Sequence, residues 1–135
     1  MLELLEKIVS TLIAAAPVGG VVPSTSIFTG PVDLVFETQG ELLYPMITIH
    51  VVSEVQRSNP LNTRDTQIQI DILSRNSQLE LENVYEGLIS ALSYLSGNQS
   101  TAHIFWSRLG GAVDDYEADR RIWHRACSFV FWSIK

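Results

Sequence analysis

The run Thr66-Gln67-Ile68-Gln69-Ile70-Asp71-Ile72-Leu73 alternates cleanly from Gln67 to Ile72. Ile68, Ile70 and Ile72 fall on one side, with Gln67, Gln69 and Asp71 on the other. Successive side chains of a strand point to opposite faces, and isoleucine packs well on a pleated surface. The run therefore predicts a β-strand with one buried face. A slip of one residue would turn every isoleucine to solvent, so the pattern also fixes which side of the strand is buried. Upstream, Tyr44-Pro45 leads into Met46 to Val52 (MITIHVV), which is β-branched and apolar on both faces. That composition reads as a strand inside a sheet, and proline suits its start, where no ladder bond is yet needed. Arg57 to Arg64 (RSNPLNTR) is polar and turn-rich. An antiparallel pair follows, residues 46 to 55 against 66 to 74, with a long exposed tip.

Downstream of the pair, Ser77 and Glu80 form S-x-x-E, the capping box that opens a helix. Leu81, Val84, Leu88, Ala91, Leu92 and Leu95 line one face of that helix, and Gly97 stands where a left-handed stop is expected. A second amphipathic helix is read at the N-terminus from Leu2, Leu5, Ile8, Val9, Leu12, Ile13 and Ala16, ended by Pro17 and Gly19-Gly20. Residues 17 to 31 hold three prolines and three glycines and read as an extended loop, with Ile27 and Phe28 inside it needing cover. Val32 to Glu37 reads as a short strand. Thr101 to Leu109 reads as another, interrupted by Gly110-Gly111 and followed by the acidic turn Asp114 to Asp119 (DDYEAD). Ile122 to Ile134 is a long last strand, largely apolar on both sides and so central or covered twice. The order predicts one α+β domain over residues 1–135, with two helices packed on an antiparallel or mixed sheet of about four to five strands.

Composition narrows the function classes. The chain has 135 residues, 15 acidic and 9 basic, for a net charge of -6. That balance disfavours a duplex nucleic-acid binder, which needs a basic footprint. Charged residues make up 18%, against about 25% in typical domains, so some surface is expected to be covered by partners. Cys127 is the single cysteine, which excludes an intramolecular disulfide or a multi-cysteine zinc site. No apolar run approaches the ~20 residues that span a bilayer, so no membrane partner is expected. Ile8 to Ala16 is apolar, but Glu3 and Glu6 precede it against Lys7 alone, unlike the cationic start of a secretory signal. Cytoplasmic assembly is the default expectation.

No catalytic constellation emerges. Gly19-Gly20 and Gly110-Gly111 lack both phosphate-loop patterns. His50, His103 and His124 each fall on a predicted strand, without metal-ligand spacing. Cys127 and His124, three apart on a strand, point to opposite faces, so Cys127 reads as a buried structural residue. Asp114, Asp115, Glu117 and Asp119 lack the fixed spacing of a calcium loop and read as a solvated turn. Trp106, Trp123, Phe129, Phe131 and Trp132 read as core or interface rather than as a base-stacking platform. The expectation is a non-enzyme with no cofactor and no metal. A ligand-binding or enzymatic domain remains the competing class, marked by a lone monomer with a pocket. Apolar residues on both sheet faces and on loops favour self-association.

In these features the chain resembles the tail terminator, or tail completion, proteins of long-tailed bacteriophages and prophages. The resemblance rests on the N-terminal helix, Tyr44-Pro45-Met46-Ile47-Thr48-Ile49, the strand Thr66 to Ser74, the capped helix 77 to 96 and the ending Trp123-His124-Arg125-Ala126-Cys127-Ser128-Phe129-Val130-Phe131. It covers nearly the whole chain in length and element order. It implies a structural subunit of the virion tail that forms a hexameric ring. The ring caps the tail tube, stops its polymerisation and docks the head-tail connector, while DNA passes through without specific binding. Another neck or tail subunit of related fold is the alternative. Loops 17 to 31 and 56 to 65 are then natural adaptors, with Ile27, Phe28, Arg57 and Arg64 as interface candidates. Asp114, Asp115, Glu117 and Asp119 are candidates for a lumen or rim position, where acidic side chains repel phosphate.

Overall fold

A computed structural model describes residues 2–14, 22–40, 42–56, 63–92, 97–99 and 102–134. The elements run α1 (Leu2–Ala14), a 3-10 turn (Ser24–Ser26), β1 (Ile27–Thr29), α2 (Val32–Thr38), β2 (Met46–Gln56), β3 (Thr63–Ser74), α3 (Gln78–Leu92), β4 (Gly97–Gln99), β5 (Ala102–Glu117) and β6 (Ile122–Ile134). One mixed six-stranded sheet has the order β1-β2-β3-β6-β5-β4. β1 pairs parallel to β2, and the other ladders are antiparallel. The α+β expectation holds. The two extra strands are the three-residue edges β1 and β4, too short to leave a periodic signature.

The isoleucine pattern of β3 sets the main core. Ile72, Ile70 and Ile68 stand opposite Ile47, Ile49 and Val51 of β2. Ile70 and Ile68 also face Cys127 and Phe129 of β6. α1 and α3 close over this face. Leu4, Ile8 and Leu12 come from α1, and Leu81, Val84, Leu88 and Leu92 from α3; all seven are buried. The α1 stripe is rotated from the one read in the sequence, so Leu4 is inside and Ile13 is 44% exposed. β6, between β3 and β5, is central as expected.

Four readings are corrected. Val32 to Thr38 is a helix, not a strand. Its Val32, Val35 and Phe36, at helical spacing, pack on Met46, Leu73 and Ile122 of the opposite sheet face. Alternation over six residues fits either period, and this second small core selects the helical one. Within the supposed loop 17 to 31, Ile27 and Phe28 lie on β1 and are half-buried against the protein's own two cores. β5 runs unbroken through Gly110-Gly111, which carry a register shift instead of ending it. A Cβ on Gly110 would come within 3.3 Å of the Ser128 carbonyl oxygen, so the close approach of β6 favours glycine there. Finally, Gly97 lies on β4, and α3 is described to Leu92. Leu95 and Ala16 lie outside the described residues.

The capping box is half formed. Ser77 Oγ accepts the Glu80 backbone N–H at 3.0 Å. The Glu80 carboxylate instead accepts from Ser74 Oγ at 2.7 Å and Asn76 Nδ2 at 2.8 Å, tying the helix start to the end of β3. Ser77→Ala is expected to cost about 1 kcal/mol and lower Tm by roughly 3–6 °C, read by thermal melting.

Candidate functional site

The acidic stretch sits at the β5–β6 hairpin. Asp114 to Glu117 are strand residues, and the turn is Ala118 to Arg121, which closes with Arg121 at a left-handed φ of 56°. This corrects the reading of the stretch as wholly a turn. Asp114 is paired rather than freely solvated. Arg125 Nε and Nη2 donate to its two oxygens at 2.6 and 2.8 Å, and Arg125 Nη1 donates to Glu82 of α3 at 2.7 Å. The guanidinium also lies 4.4 Å from the Tyr85 ring centroid. Arg125 is 8% exposed, and its bidentate geometry suits a planar fork. Its hydrogen bonds hold the Asp114 carboxyl below the usual range.

Glu117 pairs with Arg120 at 3.0 Å, and Arg120 lies 4.3 Å from the Phe36 ring centroid, bringing the hairpin to α2. Asp115 is exposed and accepts the Tyr116 backbone N–H at 2.8 Å. Asp119 is exposed on the turn. Glu117, Ala118, Asp119 and Arg120 line an open concavity of about 530 Å³. Of the other candidates, Arg64 on β3 is half-buried and pairs with Glu54 of β2 at 2.9 Å. Arg57 lies outside the described residues.

On the sheet face opposite α1 and α3 lies a polar cluster that sequence reading missed. Asp71 is wholly buried. His124 Nε2 is 2.7 Å from Asp71 Oδ1, Gln69 Nε2 donates to both carboxylate oxygens at 3.1 and 3.2 Å, and Thr48 Oγ1 is 3.5 Å away. The hydrogen bond to Asp71 raises the His124 pKa above its ordinary value, against the opposing effect of burial. Placed on the polar side of an alternating strand, Asp71 carried no sign of burial. The available sign was a histidine on a strand covered on both faces.

Cys127 is buried on the opposite side from His124, its thiol pushed up to about 12 by desolvation, so it is a poor nucleophile. Among the described residues no three His, Cys, Asp or Glu side chains gather to hold a metal. No helix among the described residues is long and apolar enough to cross a membrane. Phe129 and Phe131 are buried, and the half-buried Trp123 packs against the core with its ring centroid 4.6 Å from that of Tyr116.

No family model matches the chain, and no curated protein matches it. A solved structure does: a chain from "Virion of native gene transfer agent (GTA) particle" superposes with a TM-score of 0.71 at 12% sequence identity. The match covers 95% of this chain and 92% of that one, so the two share a fold over nearly their whole length.

Proposed function

We infer that this chain is a structural component of a phage-like virion, and more specifically a tail terminator. In this reading it forms a closed hexameric ring that caps the tail tube, ends tube polymerisation and presents the surface to which the head-tail connector docks. The observation that carries the reading is the end-to-end fold likeness to a chain of a gene transfer agent virion. The paired residues around Arg125 are consistent with it, because they brace the hairpin instead of preparing a reaction centre. The ring needs no cofactor, and DNA crosses its lumen without specific contacts.

The test incubates the protein with preformed tubes of the tube subunit encoded in the same gene cluster, followed by electron microscopy. A cap at one tube end and arrested elongation are expected. Bare ends on tubes that keep growing would sink the reading. A lumen role for the hairpin turn is tested separately by Asp119→Lys. If the turn lines the channel, capping persists while DNA passage slows, because repulsion acting over ~8 Å at physiological salt is replaced by attraction. Loss of capping would place the turn in a contact between subunits. Asp114→Lys is unsuited to this test, since it sets a second cation against Arg125 and disturbs the fold.

A further inference from the structure

We propose that copies of this chain join by extending the sheet: the free edge of β2 in one copy pairs antiparallel with the free edge of β5 in the next. Only closure into a ring rests on the terminator reading; the junction itself is argued from the strands. β1 covers β2 over Ile47 to Ile49, and β4 covers β5 over Ala102 to Ile104. Gly30 N–H donates to the Ile49 carbonyl at 2.7 Å and extends the cover on β2 to the level of His50. Among the described residues, no strand pairs with the outer edge of β2 from Val51 to Val55, or of β5 beyond Ile104. A bare strand edge is a row of backbone donors and acceptors, and the partner that satisfies it is another strand.

Three observations select a second copy as that partner. The two bare edges lie on opposite flanks of one sheet, so joining them is head-to-tail and uses two different patches per copy, as a ring requires. β2, β3, β6 and β5 alternate in direction, so β2 and β5 run oppositely and an unflipped neighbour meets β5 antiparallel, with its helices on the same side. Both edges also carry exposed apolar side chains: Val52 is 51% and Val55 60% exposed on β2, with Val113 at 71% and Tyr116 at 45% on β5. Exposed apolar residues beside unpaired edges are what a monomer avoids and a junction buries.

The short edge strands set the stagger. Through the ladders, Ile49 stands level with Ile70, Cys127 and Ala112, and Ile47 with Ile72, Arg125 and Asp114. A neighbour placed level would drive its β1 into β5 at Ala112 to Asp114. Sliding it toward the hairpin turn by about six residues, roughly 20 Å at the strand rise, carries Ile27 to Thr29 beyond Glu117, the end of β5, to the level of the hairpin turn, and clears β4. Val51 to Val55 of the neighbour then meets β5 between Val113 and Tyr116, with Ser53 level with Asp115. Such a stagger tilts the strands against the ring axis, as closed sheets require. The bulges at Val52 and Gly110 disfavour indiscriminate pairing and help to hold one register.

The test uses the double variant Ser53→Cys/Asp115→Cys and a short bismaleimide. Within one copy these positions lie three strand spacings apart, at least roughly 14 Å, and native Cys127 is buried. At rising protein concentration, and at capped tube ends, a ladder of covalent multimers is expected from the double variant and none from either single variant. Backbone amide exchange in residues 51–55 and 113–116 should slow together by at least tenfold on assembly. Multimers or caps that form without cross-links and without protection of either edge overturn the junction but spare the terminator reading. Cross-linked multimers that never cap a tube keep the junction and remove the terminator role. A chain that stays monomeric at every concentration and at tube ends overturns the junction.

Discussion

Ile70→Asp is expected to leave no cooperatively folded protein. Ile70 is wholly buried, with Ile49 and Cys127 directly opposite it on the two neighbouring strands. A carboxylate there has no partner among the isoleucines and helix leucines of the main core, and either ionised or protonated it costs several kcal/mol. The lost isoleucine packing adds roughly 2–5 kcal/mol. A domain of this size has about 5–15 kcal/mol in total, so the sum consumes most or all of it. Ile70→Val removes one methylene and should cost only about 1 kcal/mol, keeping cooperative unfolding. Urea melts of both variants check this. A soluble Ile70→Asp protein with an unchanged midpoint contradicts the placement of β3.

The second large effect is expected at His124. His124→Ala strips the buried Asp71 carboxylate of its shortest contact, leaving Gln69 and a long approach from Thr48. Removing one partner of a buried pair costs about 3–5 kcal/mol, because the remaining charge stays buried. Asp71→Asn added to His124→Ala should recover part of the loss, since the amide needs no counter-charge. The pair also sets a pH dependence. The folded-state pKa of His124 is raised above the ~6.5 of an unfolded imidazole, mainly by its hydrogen bond to Asp71. The folded state therefore holds the proton more tightly. Its contribution is complete below about pH 6.5 and is lost as pH rises through the folded pKa. Urea midpoints of the native protein should fall from pH 6 toward pH 9, and His124→Ala should lose that component. A native midpoint that rises over this range, with His124→Ala unchanged, would sink the assignment.

The elements legible in the sequence share a property: each is long enough for its period to be read without its neighbours. β3 announces both its class and its buried side through Ile68, Ile70 and Ile72, and α3 does the same through Leu81, Val84, Leu88 and Leu92. The same holds for β6, whose apolar residues on both sides fit its place between β3 and β5. Short segments fail the test of length. Val32 to Thr38 and Ile27 to Thr29 are shorter than the window over which the helical and strand periods diverge.

Sequence alone thus determined the antiparallel β2–β3 pair, the buried side of β3, the capped helix and the burial of Cys127, because local periodicity and side-chain shape dictate them. Tertiary structure decided what depends on residues far apart in the chain. It made residues 32 to 38 a helix by offering Met46, Leu73 and Ile122 as a floor. It buried Asp71 by bringing His124 to it across 53 positions, and it bound Asp114 and Glu82 to one arginine from two different elements. Among the described residues it also left parts of the outer edges of β2 and β5 unpaired on opposite flanks, a fact of strand order that no single segment encodes. The physical reason is range: propensity and periodicity act within a few residues, whereas desolvation, ion pairing and edge exposure are set by whichever strand becomes the neighbour.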